Sequence, residues 1–294
     1  MTVRRTLWAA TAALMLISAC ARTDAGAGAA PDESSPAPGE SSSPAAGDGL
    51  VLRMIREGGF VPAELIPGRV PEVSVYADGR VITEGPQIAI YPGPALPNLQ
   101  VVDAGREKVA ELVKQAVAAG VRGGADFGQP GVADAPSTRI DVVVDGQTQS
   151  VSVMALNEAS PDDPRLTPAQ RDARAKLAAF AEELREFGNT PGAKPYRAER
   201  VAALAQPWSA PNDGLPSQPP AVAWPGPALP GESLSPNIKL GCVTAAGAEA
   251  TELLDAAAKA NQNTPWTSGP ETYRVTFRPL LPDETGCADL KKAR

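Results

Sequence analysis

The sequence predicts an α+β fold: antiparallel sheets of hairpins with amphipathic helices on one face. Two Asp-Gly turns set between alternating apolar runs, and two apolar stripes at helical spacing, carry that prediction. Val51, Arg53 and Ile55 open a strand, and Val73 to Ala77, the turn Asp78-Gly79, then Arg80 to Thr83 read as a β-hairpin. Asp-Gly suits a type I′ turn, which needs two residues at positive φ. The device recurs where Ile140, Val142 and Val144 alternate up to Asp145-Gly146, with Val151 and Val153 alternating on the return.

Between the hairpins, Val109, Leu112, Val113, Ala116 and Val117 form one stripe of a helix, with Asp103 as the expected N-cap and Gly120 as the C-cap. A second helix starts at a capping box, Thr167 to Gln170, with Pro168 at its first position. Ala173, Leu177, Phe180, Ala181, Leu184 and Phe187 form its stripe, and Gly188 ends it. Both helices are polar on the other face, so each is expected on one side of a sheet. Residues 189–240 are Pro-rich, and Glu199 to Ala205 reads equally as a short helix or a strand. Beyond them the pattern predicts a strand at Asn237 to Val243, a helix at Thr244 to Asn261 and a strand at Thr272 to Phe277. In that helix Leu253, Leu254, Ala257 and Ala258 should face inward, and Pro279-Leu-Leu-Pro282 should end the last pairing.

The stretch 70–188 resembles a small α+β module of uncharacterised secreted proteins and lipoproteins of bacteria. Tyr76 to Val81, Ala119-Gly120-Val121, Asp134 to Thr138 and Asp145-Gly146 carry the resemblance, with Val121 where the module often has a bulky aromatic. These are turn and packing signals, so they imply a fold and no activity. Separately, Tyr91 to Pro97 and Trp224 to Pro230 share Pro-Gly-Pro-Ala-Leu-Pro after an aromatic residue. One reading is a diverged duplication with halves near 50–188 and 195–294; the other is chance recurrence in a Pro- and Ala-rich chain.

Composition excludes more than it assigns. The 294 residues contain no histidine, which removes the usual general base near neutral pH and the commonest metal ligand. Ser-His-Asp triads, Cys-His dyads and histidine zinc sites are therefore excluded. Catalysis would rest on carboxylates, Lys, Tyr or a Ser-Lys pair, and no P-loop, GxGxxG, GxSxG or SxxK motif is present. With 27 basic and 34 acidic residues the chain is acidic, which argues against nucleic acid as a partner.

The N-terminus reads as an address. Arg4 and Arg5 precede an apolar run from Leu7 to Ile17 and the small pair Ser18-Ala19, a signal-peptide pattern too short for the roughly 20 residues that span a bilayer. Ile17-Ser-Ala-Cys20 resembles the bacterial lipobox, an aliphatic residue and two small ones before a cysteine. The resemblance implies that residues 1–19 are a lipoprotein signal and that Cys20 carries a diacylglycerol and becomes the new N-terminus. Two acyl chains, of palmitate type, matter because each buried CH₂ contributes about 0.8 kcal/mol and one chain holds only marginally. Together with arginine outnumbering lysine, and abundant Ala, Gly and Pro, this suggests an actinobacterium-like source. Residues 20–49, from Cys20 on, lack apolar periodicity and read as a disordered tether, reaching on the order of 30 Å. The folded part is then expected as a module over 50–188, followed by a Pro-rich connection and a smaller α+β unit over 189–294.

With Cys20 lipidated, Cys242 and Cys287 remain, and outside the cytoplasm they should form a disulfide. Asp78 and Asp145 belong to turns, and Asp126 and Asp134 to loop hydrogen bonds. Asp283-Glu284 could bind a cation or act as acid and base, or be simply solvated. Tyr91, Trp208, Trp224 and Trp266 lie beside or near proline. They read either as covers for the ends of the aliphatic core or as a surface for a glycan or peptide. The expectation is thus a non-enzymatic binding or interaction module at the outer face of a membrane, without cofactor or metal. Its partner would be a cell-wall glycan or a secreted protein; the alternative is a carboxylate-based glycan-cleaving enzyme.

Overall fold

The structure is a computed structural model that describes residues 49–215, 218–235 and 237–292. The signal, Cys20 and the tether up to residue 48 lie outside the described residues. The fold is α+β. Seven antiparallel strands, β1 (Leu50–Gly58), β2 (Val73–Tyr76), β3 (Arg80–Glu84), β4 (Leu99–Asp103), β5 (Pro136–Val144), β6 (Gln147–Met154) and β7 (Lys194–Pro195), form the first sheet. Their order is β6-β5-β1-β2-β3-β4-β7. The second sheet contains β8 (Arg200–Pro207), β9 (Val222–Ala223), β10 (Glu232–Ser235), β11 (Leu240–Ala246), β12 (Pro265–Ser268) and β13 (Glu271–Pro279), in the order β10-β11-β8-β13-β12-β9. Four α-helices accompany them: α1 (Gly105–Ala118), α2 (Pro168–Glu186), α3 (Gly247–Ala257) and α4 (Cys287–Lys292). Both sheets belong to one compact unit, and β7, which lies beyond residue 189, closes the first sheet rather than the second.

The local patterns explain most elements. Asp145 and Gly146 both sit at positive φ, +50° and +76°, as a two-residue I′ turn requires. The first hairpin differs. Gly79 alone is at positive φ, its N–H donates to Tyr76 O at 3.1 Å, and Val75 pairs Val81, which leaves a three-residue loop ending in a left-handed glycine. That is the next most common hairpin loop, and Asp-Gly satisfies it equally well. In α2 the capping box forms: Thr167 Oγ1 accepts from Gln170 N–H, and Gln170 Oε1 from Thr167 N–H. Helix α1 starts two residues past Asp103, whose carboxylate accepts the Gly105 N–H at 3.0 Å while Ala104 takes the N-cap position.

Helices α1 and α2 lie on the same face of the first sheet. Leu112, Ala116, Leu177, Ala181 and Leu184 are buried there against Leu52, Met54, Val75 and Ile140. Arg174 is the exception on α2: buried among these residues, it donates to the carbonyls of Phe127, Met154 and Ala155. It thereby satisfies backbone acceptors that would otherwise be buried unpaired.

In the second sheet the ambiguous run resolves as a strand. Val201 to Ala205 are all buried, paired on one side with β11 and on the other with β13. Val201, Ala203 and Ala205 face α3, whereas Ala202 and Leu204 face the C-terminal tail. Alanine has little intrinsic preference for strands, but a central strand covered on both faces favours small side chains. Strand β11 runs to Ala246, three residues past the expected end, because Thr244 to Ala246 continue the ladder with β8. Helix α3 is correspondingly shorter, buries Ala250, Leu253 and Ala257, and leaves Ala258 exposed.

Both copies of the repeat pack on one core. Ala95 and Leu96 of the first copy, and Trp224 and Leu229 of the second, lie against the core beneath α3. The first copy reaches it through Ala95 N–H to Ala260 O at 3.2 Å and Gln262 N–H to Gly93 O at 2.9 Å. The two sheets differ in connectivity. Two strands separate β1 from β4 in the first, whereas β8 and β11 are adjacent in the second.

Cys242 on β11 and Cys287 at the start of α4 form a disulfide, with Cα atoms 6.0 Å apart. The bond closes a separation of 45 residues, which in the chain-entropy model corresponds to about 4 kcal/mol. Reduction is expected to lower unfolding free energy by about that amount in denaturant titrations. Alkylation of the unreduced, native protein should label neither thiol, and an unchanged midpoint on reduction would refute the assigned role.

Candidate functional site

The face of the first sheet opposite α1 and α2 and the face of the second opposite α3 meet across the segment that follows β13. Tyr76 on β2 and Ile82 on β3 pack against Leu281, and Tyr196, just past β7, joins them and donates from its hydroxyl to Leu280 O at 2.9 Å. Asp283 Oδ1 accepts from Arg53 Nη2 at 2.8 Å and from Tyr76 Oη at 2.7 Å. Glu284 Oε1 accepts from Arg278 Nη2 at 2.7 Å, and Oε2 accepts the Leu281 N–H at 2.8 Å. Arg278 itself, only 1% exposed, also donates to Arg69 O at 3.1 Å and to Pro279 O. Glu284 is buried and Asp283 stays partly open to solvent, but both carboxylates are engaged by the sheets and latch the tail to them.

Burial first, and the Asp283 carboxylate second, push the Tyr76 phenol well above its ordinary value. Burial and then Glu284 push Tyr196 up to about 12. Arg53 and Tyr76 entered the sequence reading only as strand and hairpin positions, and Arg278 not at all. Tyr76 and Asp283 are 207 positions apart, and neither shows in a local period.

The seam is closed in its middle by this tail and open on both sides. The 3-10 turn Ala63–Gly68 separates the openings, and it can sit close on β13 because Gly68 has no Cβ: one built there would be 2.8 Å from Thr276 Cγ2. On one side lies a cleft of about 990 Å³ between the helix-free faces of β1 and β5 and the tail. Its charges pair internally, Arg139 with Asp141 at 2.9 Å and with Glu57 at 3.3 Å, and Arg53 with Asp283.

On the other side lies a cleft of about 950 Å³ with a different balance. Four guanidiniums, Arg56, Arg69, Arg185 and Arg274, line it with two carboxylates, Glu72 and Glu84. Glu72 bonds Arg185 at 3.0 Å and stands 3.9 Å from Arg56, which also pairs with Glu158. Glu84 accepts from Gln87 Nε2 at 3.0 Å, and its carboxyl is pushed up by lost hydration and, secondarily, by Glu72. Arg69 donates only to the carbonyls of Arg56 and Gly58, and Arg274 makes no hydrogen bond or ion pair among the described residues. Exposed Leu65 and Tyr91 border the cleft, and the loop leading to Tyr91 exposes Ile88 and Ile90 as well.

The four aromatic residues do not form one surface. Trp266 is 1% exposed and meets Phe277 and Trp224 edge-on, with ring centroids 5.4 and 5.6 Å from its own. Trp224 is half-buried and donates from Nε1 to Pro227 O. These two tryptophans fill the core beneath α3, so a binding surface containing Trp266 is ruled out by burial. Trp208 is half-buried beside the end of β8. Tyr91 alone enters the cleft, 55% exposed, its hydroxyl donating to Asp213 Oδ2 at 2.9 Å, where Asn263 Nδ2 also donates.

Among the described residues no group of three or more Cys, Asp or Glu is placed to hold a metal ion, and no helix is long and apolar enough to cross a membrane. No family model matches this chain, and neither a curated protein nor a solved structure matches it.

The seam makes a pH prediction. An unfolded phenol titrates near 10, whereas Tyr196 holds its proton to about 12 and Tyr76 beyond its ordinary value. For a raised pKa the contribution is full below the unfolded value and is lost as pH climbs through the folded one. Melting temperature is thus expected to hold up to about pH 10 and then fall. In Tyr196→Phe the fall should be shallower; identical profiles would remove Tyr196 from the account.

Proposed function

We propose that the protein is a lipid-anchored, extracytoplasmic binding module, held at the outer face of a membrane through Cys20. In this reading it presents the arginine-lined cleft of the seam to a cell-wall glycan or a secreted partner. The observation that carries it is that cleft: about 950 Å³, lined by Arg69 and Arg274 without carboxylate partners and bordered by exposed Leu65 and Tyr91. Sheltered donors with one aromatic at the mouth suit recognition, and exposed apolar residues grouped at a cleft mark contact sites. The lipobox resemblance of Ile17 to Cys20 and the Ala, Gly, Ser and Pro tether support the address. Both oxygens of Glu72 already face guanidiniums, which favours binding over nucleophilic chemistry.

Two measurements test this reading. Cys20→Ala is expected to lose incorporation of labelled palmitate and to stay at precursor size; normal processing of the variant would overturn the anchor. Titration with a panel of cell-wall fragments and secreted partners should shift the Tyr91 resonances for at least one of them, and no shift across the panel would overturn the binding site.

A second reading, a carboxylate-based glycan-cleaving enzyme, draws on one feature. Glu84, whose carboxyl is pushed up by lost hydration, shares its cleft with Glu72, which lies against Arg185 and Arg56, and two carboxyl groups in such different surroundings suit an acid and its partner. If it holds, glycan fragments are cleaved at mildly acidic pH and Glu84→Gln abolishes cleavage. Equal rates in wild type and variant would exclude it.

A further inference from the structure

We infer that the cleft bordered by Tyr91 is an anion site, with Arg274 and Arg69 as the groups that take a carboxylate or phosphate of the ligand. The inference rests on the binding-module reading and names its ligand chemistry. Three observations carry it.

The first is the charge balance. In a chain with more acids than bases, the cleft reverses the excess, gathering four guanidiniums against two carboxylates. The cleft on the opposite side of the seam pairs its arginines with its own acids, Arg53 with Asp283, Arg139 with Asp141, and Arg278 with Glu284. Arg56 and Arg69 line that cleft too, but there the guanidiniums of Arg53, Arg56, Arg69, Arg139 and Arg278 face the carboxylates of Glu57, Asp141, Asp283, Glu284 and Asp289, so the excess of positive charge lies on the Tyr91 side.

The second is the state of the two arginines. Arg274 lies on the face of β13 opposite α3, half-buried, and its guanidinium meets no acceptor among the described residues. Arg69, also half-buried, uses one nitrogen, Nη1, for the carbonyls of Arg56 and Gly58, so its head is oriented while its remaining donors are unused. A guanidinium presents five donors in a planar fork that matches carboxylate and phosphate oxygens. Partial withdrawal from water strengthens each such bond relative to a fully exposed arginine.

The third is position. Arg69 follows the turn Ala63–Gly68 of the first half, whereas Arg274 belongs to β13 of the second, and the latched tail holds these halves together. The turn is seated on β13 through Gly68 and through the Arg278 bond to Arg69 O, so both donors are held relative to one strand. Tyr91 and Leu65 at the mouth would contact the less polar part of the ligand. The bland counterpart is an arginine that packs its stem and leaves its head in water.

Calorimetric titration of the full chain with inorganic phosphate and, separately, with D-glucuronate distinguishes these. Saturable binding of at least one probe is expected, weakened about tenfold in Arg274→Gln, since a hydrogen bond to a charged group is lost. Because the Arg274 guanidinium makes no hydrogen bond or ion pair among the described residues, the variant should keep the wild-type melting temperature. Arg122→Gln, at an exposed position outside the cleft, should bind as wild type. The probe that binds assigns the anion to phosphoryl or to carboxylate sources. No saturable binding of either probe, or equal affinities in Arg274→Gln and wild type, overturns the site. Lipidation at Cys20 and partner-induced shifts at Tyr91 are read independently of these titrations, so either proposal can fail alone.

Discussion

The structure depends on how the C-terminal segment is held between the sheets. Asp283 bonds Arg53 and Tyr76 of the first sheet, Glu284 bonds Arg278 of the second, and Cys287 is covalently joined to β11. Charges this sheltered are tolerable only when paired, and removing one partner leaves the other uncompensated. The arrangement is consequently a condition on the whole seam: Arg53 and Arg278 can be buried only where the tail brings their acids. The disulfide and the charge network act at neighbouring points of one segment, the first tying it to the second sheet and the second tying it to both.

Function follows from the shape this leaves. Between two sheets separated by one segment of chain, the middle of the seam is filled and its two margins are open. The turn Ala63–Gly68, seated on β13 because Gly68 lacks a side chain, divides the margins into two clefts. One margin has its charges internally satisfied, and the other holds more arginines than acids. The same architecture seats both copies of the recurring Pro-Gly-Pro-Ala-Leu-Pro segment. Both copies cover the core beneath α3, and the first, though it lies between strands of the first sheet, thereby brings Tyr91 to the cleft.

Much of the fold was legible from local patterns. Both hairpins form about their Asp-Gly turns, α2 begins at its capping box, and the stripes of α1 and α2 face the core. Each of these is set by neighbours within a few positions, so periodicity and turn chemistry report it directly. Departures come where distant contacts overrule local preference. Val201 to Ala205 became a central strand because β11 and β13 offer ladders on both sides. Thr244 to Ala246 stayed in β11 rather than starting a helix for the same reason. The Asp78-Gly79 turn formed a three-residue loop where an I′ turn was expected, since the dipeptide is compatible with both and the strand register decides.

The candidate site was legible only in fragments. Tyr91 was picked out as an aromatic beside proline, yet its companions in that reading divide, Trp266 and Trp224 filling the core and Tyr91 reaching the cleft. By itself the sequence determined the α+β class, the hairpins and principal helices, the pairing of Cys242 with Cys287, and the exclusion of histidine chemistry. Composition, spacing and cysteine arithmetic are properties of the chain before it folds. Only the tertiary structure decided that Asp283 is a latch, that the Arg274 guanidinium lies without an acid, and that the two line different clefts of the seam. Those facts join residues from Arg53 to Asp283, 230 positions apart, and an interaction across such a distance leaves no period in either segment that makes it.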